Sequence, residues 1–127
     1  MKHTTSLFSI ILLTSSLGFI NMAFAQTDIK PFIGKVAYNC QQGKKVTVRY
    51  SFNKYGLPTS ASTYINGKKI IMERNQDSSD NVETYFGLVG KYNMMTNYMD
   101  STNYRSLSGI NILSPSSEIL FKGCNPR

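Results

Sequence analysis

The stretch QDSSDNVETYFG, residues 76–87, holds three of the chain's seven acids, Asp77, Asp80 and Glu83. No Lys or Arg occurs between Arg74 and Lys91. Two carboxylates held apart can serve as general acid and base, as in glycoside hydrolysis. Nothing else in the chain supports that chemistry. The single histidine is His3, and it lies in a segment expected to be removed. The remaining chain then has no imidazole base, no Ser-His or Cys-His pair and no histidine metal ligand. No glycine-rich phosphate loop, dinucleotide fingerprint or calcium loop is present, and no cofactor or metal is expected. The acidic cluster therefore reads as a solvated or binding loop, and the protein as a binding protein rather than an enzyme.

Residues 1–25 read as a secretory signal. MKHTTS supplies a positive start at Lys2, LFSIILLTSSLGFI an apolar run, and AFA (23–25) a cleavage site. The run is short for a membrane span and is followed by a processing site. Cleavage after Ala25 leaves residues 26–127 as one domain, large enough for one modest core. It removes Lys2 and no acid, taking the formal charge from +7 to +6. No cysteine lies near that site, so no lipid anchor is evident, and the periplasm or outer-membrane surface is the expected location.

Cys40 and Cys124 are the two cysteines. In a small exported protein an even pair points to a disulfide. On the loop-entropy model so long a closed loop constrains the unfolded chain by about 4–5 kcal/mol. A metal or redox pair is the weaker alternative, because neither CxxC spacing nor a histidine accompanies the cysteines.

The elements that must position these residues read as β throughout. KKVTVRYSF places Val46, Val48 and Tyr50 on one face and Thr47 and Arg49 on the other, the period-2 pattern of a half-buried strand. TSASTYI and KKIIMER flank Asn66-Gly67, a strong hairpin signal. KVAYNC, VETYFGLV, YNMMTNYM, YRSLSGINIL and EILFKGC supply the remaining strands. The expectation is an all-β fold: a small antiparallel β-barrel of about eight strands, closed by one disulfide. Residues before Lys35 read as a loose arm. Tyr50, Phe52, Tyr64 and Phe121 fall in strand periodicity and are expected in the core.

The cations allow a second surface. Lys44-Lys45 and Lys68-Lys69 flank hairpin turns, where such pairs protect strand edges and aid solubility. They could also meet an anionic surface such as lipid A phosphates or a sulfated host glycan. Export argues against nucleic acid. An exposed strand edge would also permit homodimerisation.

The segments YNCQQGKKVTVRYSFNKYGLPTSASTYINGKK (38–69), SDNVETYFG (79–87) and FKGCNPR (121–127) together resemble the adhesin complex proteins of Gram-negative mucosal bacteria. More distantly the pattern is similar to the membrane-bound and periplasmic inhibitors of c-type lysozyme. The resemblance implies an exported β-barrel, partly displayed at the outer membrane, that acts as an adhesin and as an inhibitor of host c-type lysozyme. In the distant family a loop enters the lysozyme cleft, and a serine from an S-G-x-x-Y motif and a downstream lysine bind the catalytic carboxylates. Here the motif tyrosine falls on Tyr85, while the serine and glycine positions fall on Asn81 and Val82. Ser79 lies two residues earlier. The lysine position falls near Thr96 and Asn97, and Lys91 is a replacement.

An ionised carboxylate only accepts hydrogen bonds, so a blocking loop needs donors, which Ser79, Asn81 and Asn97 carry. C-type lysozymes are cationic, and two basic proteins repel at long range. Asp80 and Glu83, with Asp77, would offset this within a Debye length of about 8 Å. The expected lysozyme-binding set is therefore Ser79, Asp80, Asn81, Glu83, Tyr85, Lys91 and Asn97.

Overall fold

A computed structural model describes residues 28–127. The expected leader, residues 1–25, and its cleavage site lie outside the described residues. Eight antiparallel strands follow in order: β1 (Phe32–Asn39), β2 (Lys45–Phe52), β3 (Pro58–Ile65), β4 (Lys68–Glu73), β5 (Glu83–Gly87), β6 (Asn93–Asn97), β7 (Ile110–Leu113) and β8 (Ile119–Pro126). Their order across the sheet is β4-β3-β2-β1-β8-β7-β6-β5. Each strand follows its sequence neighbour, and the first and last strands meet. The sheet curls into a nearly closed barrel whose two free edges, β4 and β5, touch through an isolated Arg74–Phe86 bridge.

Alternation decides what faces inward. In β2 the burial of Val46, Val48, Tyr50 and Phe52 alternates with outward Lys45, Thr47, Arg49 and Ser51. The Asn66-Gly67 turn has φ of 53° and 77°, the geometry of a two-residue hairpin. It fixes Ile65 opposite Lys68 and so sends Ala61, Thr63 and Ile65 inward. Tyr64 is thereby placed outside at 59% exposure, which corrects its expected core position. Tyr50 and Phe52 are buried, and Phe121 packs against the core half-buried.

The loose arm expected before Lys35 is also corrected. Phe32, Ile33 and Gly34 extend β1 and pair with Phe52, Ser51 and Tyr50. Phe32 stacks on Phe52 with ring centroids 5.0 Å apart, and Phe52 meets Tyr104 at 4.9 Å. These aromatic contacts tie the start of the strand to the core. A Cβ on Gly34 would overlap the Tyr104 ring, so glycine is required at that contact. Tyr104 itself stands on the turn after β6, where Asp100 Oδ1 accepts from the Thr102 and Asn103 amides. That turn replaces the front half of the strand expected over YRSLSGINIL, leaving β7 only Ile110–Leu113.

The expected disulfide is present between Cys40 and Cys124, with Cα atoms 4.0 Å apart. It lies beside the short β1–β8 pairing, which covers Tyr38–Pro126 and Asn39–Asn125.

Deep in the core, the Tyr38 and Tyr50 hydroxyls meet at 2.7 Å. Burial pushes the Tyr38 phenol up to about 12, and burial drives Tyr50 well above its ordinary value too. In the unfolded chain these phenols ionise near pH 10. The unfolded state therefore binds fewer protons than the folded state above that pH, and stability falls as pH rises from about 10 towards 12. Denaturant midpoints measured across pH 8–12 should be flat to about pH 10 and then fall. A flat profile to pH 12 would contradict the buried phenol pair.

Candidate functional site

The acidic segment becomes the β4–β5 connection, and its side chains are largely engaged in shaping it. Asp80 Oδ1 accepts from the Val82 and Glu83 amides, both at 2.8 Å, and the Asp80 amide donates to Glu83 O at 2.9 Å. This is a self-bonded aspartate turn. The Glu83 amide, and then the Val82 amide, hold the Asp80 carboxyl below its ordinary pKa. Ser79 Oγ accepts from the Tyr85 amide at 2.9 Å, pinning the loop to β5. Asn81 and Val82 are exposed at the tip.

Register gathers part of the sequence-predicted set. Glu83 lies opposite Asn97 and Tyr85 opposite Met95 across the β5–β6 pair. Thr84 and Phe86 are buried, so Glu83 and Tyr85 share the outer face, and Met95 and Asn97 are exposed with them. The Tyr85 hydroxyl donates to Glu83 Oε1 at 3.4 Å, and the charge on Glu83 raises the Tyr85 pKa. The outer face thus joins Glu83, Tyr85 and Asn97 beside the Asp80 turn. Lys91 stands apart, in the β5–β6 hairpin where its amide donates to Leu88 O. The length of β5, about 13 Å at the usual strand rise, separates it from Glu83.

The lysine pairs are divided. Lys44 Nζ donates to Leu120 O at 2.9 Å and sits 5.7 Å from the Phe121 ring centroid, so it is bound to β8. Lys45 and Lys69 point outward from the β1–β4 sheet, and Lys68 lies exposed beside the hairpin turn. The sequence reading missed the cations between them. Lys35 of β1 lies directly opposite Arg49 of β2, both exposed. Arg49 lines two shallow depressions. One, about 220 Å³, also meets Lys45, Tyr64 and Arg127, and the other, about 160 Å³, meets Ile33, Ser51, Ser60, Ser62, Lys69 and Ile71. β1, β2 and β3 contain no Asp or Glu, so the acid on this sheet is Glu73, in the edge strand. The available signal was Arg49 on the polar side of the alternating β2 run, with Lys35 one strand earlier.

A third concavity, about 570 Å³, lies along the gap between β4 and the β5–β6 hairpin. Ile70, Ile71, Met72, Leu88 and Tyr92 line it, with Lys69, Arg74 and Lys91. Arg74 Nε is buried there without a hydrogen-bond partner. Among the described residues no group of His, Cys, Asp and Glu could hold a metal ion.

Fold and surface define a small disulfide-linked β-barrel with a basic cross-strand pair on the outer face of β1 and β2 and an acidic turn before β5. Residues 34–126 match the family model of the ACP-like domain. The solved structure of Adhesin Complex Protein from Neisseria meningitidis is similar at 50% identity. The similarity covers 75% of this chain and 100% of that chain, with a TM-score of 0.71. The chain belongs to the adhesin complex protein family. A comparison with curated proteins finds no match.

Removing the Asp80 carboxylate should loosen the loop and spare the barrel. Asp80→Ala is expected to speed amide hydrogen exchange at Val82 and Glu83 by about 10-fold or more, with a thermal midpoint within about 3 °C of wild type. Because the folded carboxyl is held low, order in the loop is kept above the ordinary carboxylate pKa. It is lost as pH falls through the depressed value. Unchanged exchange in the variant would show that the turn is held by other contacts.

Proposed function

We propose that this protein is an exported, surface-exposed binding protein of the adhesin kind that engages an anionic host surface through the outer face of β1–β4. The observation that carries this reading is the Lys35–Arg49 cross-strand pair on a sheet whose first three strands hold no acid. Like charges directly opposite each other destabilise a sheet. An anion bound between them removes that repulsion. A sulfate or phosphate group accepts two parallel bonds from a guanidinium, and Ser51, Ser60 and Ser62 offer hydroxyl donors nearby. The similarity to a protein named as an adhesin supports the same reading.

Retention on a sulfated polysaccharide such as heparin tests it. Lys35→Glu combined with Arg49→Glu should elute at much lower salt than wild type. Lys44→Ala should elute near wild type, because that lysine is bound to the Leu120 carbonyl. Equal elution of wild type and the double variant would move the anion site elsewhere.

A second reading, inhibition of a c-type lysozyme, rests on the opposite side of the molecule. Glu83, Tyr85 and Asn97 share one outer face beside the exposed Asn81 tip. That face offers carboxylates to a cationic partner and amide donors to catalytic carboxylates. The purified protein should slow clearing of a peptidoglycan suspension by a c-type lysozyme, and Glu83→Lys with Asn97→Ala should weaken this about 10-fold or more. No slowing at large molar excess would contradict it.

A further inference from the structure

Alternation along β4 sets a cation on the inner side of the barrel, and we infer that it receives the carboxylate of a single-chain fatty acid held in the groove beside that strand. Ile70 is half-buried and Met72 buried, whereas Lys69, Ile71 and Glu73 are exposed. Two residues beyond Met72, Arg74 falls on the same inward side. It stands opposite buried Phe86 across the isolated bridge. Its Nε is buried and has no hydrogen-bond partner. Burying a charged group is costly unless it is paired. An inward charge also guards a free edge against strand addition. That role asks nothing of the wall across the groove, and here that wall is apolar.

The groove is the concavity of about 570 Å³, and the Arg74–Phe86 bridge closes it at one end. There the antiparallel register seats Gly87 opposite Glu73 and occupies the Glu73 carbonyl. A φ of 82° at Gly87 then turns the chain away, and Leu88 and Tyr92 of the hairpin form the far wall. Ile70, Ile71 and Met72 form the near wall. From Lys69 to Arg74 the strand runs about 17 Å at the usual rise, comparable to an extended medium-length acyl chain.

Shape and charge together select the ligand. The Asn66-Gly67 turn makes Ile65 and Lys68 a bonded pair, so of β4 only Lys69 and Ile71 keep backbone groups open towards the gap. That ladder is too short to hold an added strand. An acyl chain needs no backbone partners. Its methylene groups would lie between the two apolar walls and cover Leu88, which is 55% exposed. Lys69, Arg74 and Lys91 line the groove against one carboxylate, Glu73, so the groove attracts an anion. A guanidinium holds a carboxylate through charge-assisted bonds, and the low dielectric around a buried Nε strengthens them. The two exposed lysines can lay their stems over the chain while their ammonium groups stay in water. A largely apolar concavity with a few convergent polar groups is the usual form of a small-molecule site.

Chemical-shift titration of labelled protein, purified after expression of the full 127-residue chain, tests this with monomeric decanoate and 1-decanol. Decanoate should shift Ile70, Ile71, Met72 and Leu88 and saturate, binding about 10-fold tighter than the alcohol. Arg74→Met should erase that preference while leaving affinity for the alcohol within about 3-fold of wild type. Leu88→Asp, on the exposed hairpin, should weaken decanoate about 10-fold or more with the barrel's circular dichroism spectrum retained. Equal wild-type affinity for acid and alcohol would overturn the inference. So would an Arg74→Met variant that loses both alike, or undiminished decanoate binding by Leu88→Asp. Shifts at the groove produced by anionic phospholipid vesicles but not by decanoate would make it a membrane contact and overturn the inference too. Lys35→Glu with Arg49→Glu should bind decanoate within about 3-fold of wild type, so this site and the β1–β4 anion surface fail separately.

Discussion

The meeting of the first and last strands governs everything else in this molecule. Only Tyr38–Pro126 and Asn39–Asn125 pair across β1 and β8, so the ladder there is short. The Cys40–Cys124 bridge stands beside it and carries the closure covalently. Joining these strands makes one eight-stranded sheet of two four-stranded meanders. The same closure decides where the sheet ends: the free edges must be β4 and β5, halfway along the chain. Curling brings those edges together at Arg74 and Phe86, and the loop carrying the acids connects them. The acidic loop and the open groove both follow from one bond between the ends.

The charges are unevenly spread over the two meanders. The first meander exposes Lys35, Lys45, Arg49 and Lys69 on its outer face, with Arg127 brought alongside as its amide donates to Ala37 O. The second carries Glu83 on its outer face, next to Asp80. The acidic segment lies in the connection between the two meanders, away from the Lys35–Arg49 pair. Part of that acidity is spent within the loop, since Asp80 bonds the amides of its own turn. Glu83 is free to face outward, apart from the long bond to the Tyr85 hydroxyl.

Most of the fold was legible in the sequence, because period-2 alternation and glycine-bearing turns act locally. All eight strands follow from those signals, and the disulfide from the even cysteine pair. The failures have two causes: long-range packing overrode a local pattern in one, and turn-set strand parity decided the other. Residues 32–34 look like an arm until Phe32 finds the Phe52 ring. Tyr64 looks like core until the Asn66-Gly67 turn sets the parity of β3. The candidate surfaces were less legible. Ser79 reads as a free donor, yet its hydroxyl closes the loop on Tyr85. Lys44 and Lys45 read as one pair, yet strand alternation sends them to different surfaces, and Arg49 joins Lys45 instead. Side-chain type shows in a sequence, whereas cross-strand company depends on register.

The central claim is that the first meander's outer face is the anion-binding surface. Amide chemical-shift mapping during titration with a sulfated oligosaccharide tests it most directly, because it locates the contact without altering a residue. The account predicts shifts that concentrate on outward residues of β1–β3, around Lys35, Arg49, Ser60 and Ser62, and fade as salt is raised. Shifts confined to the 75–85 loop and β6, or scattered over every surface lysine alike, would contradict it.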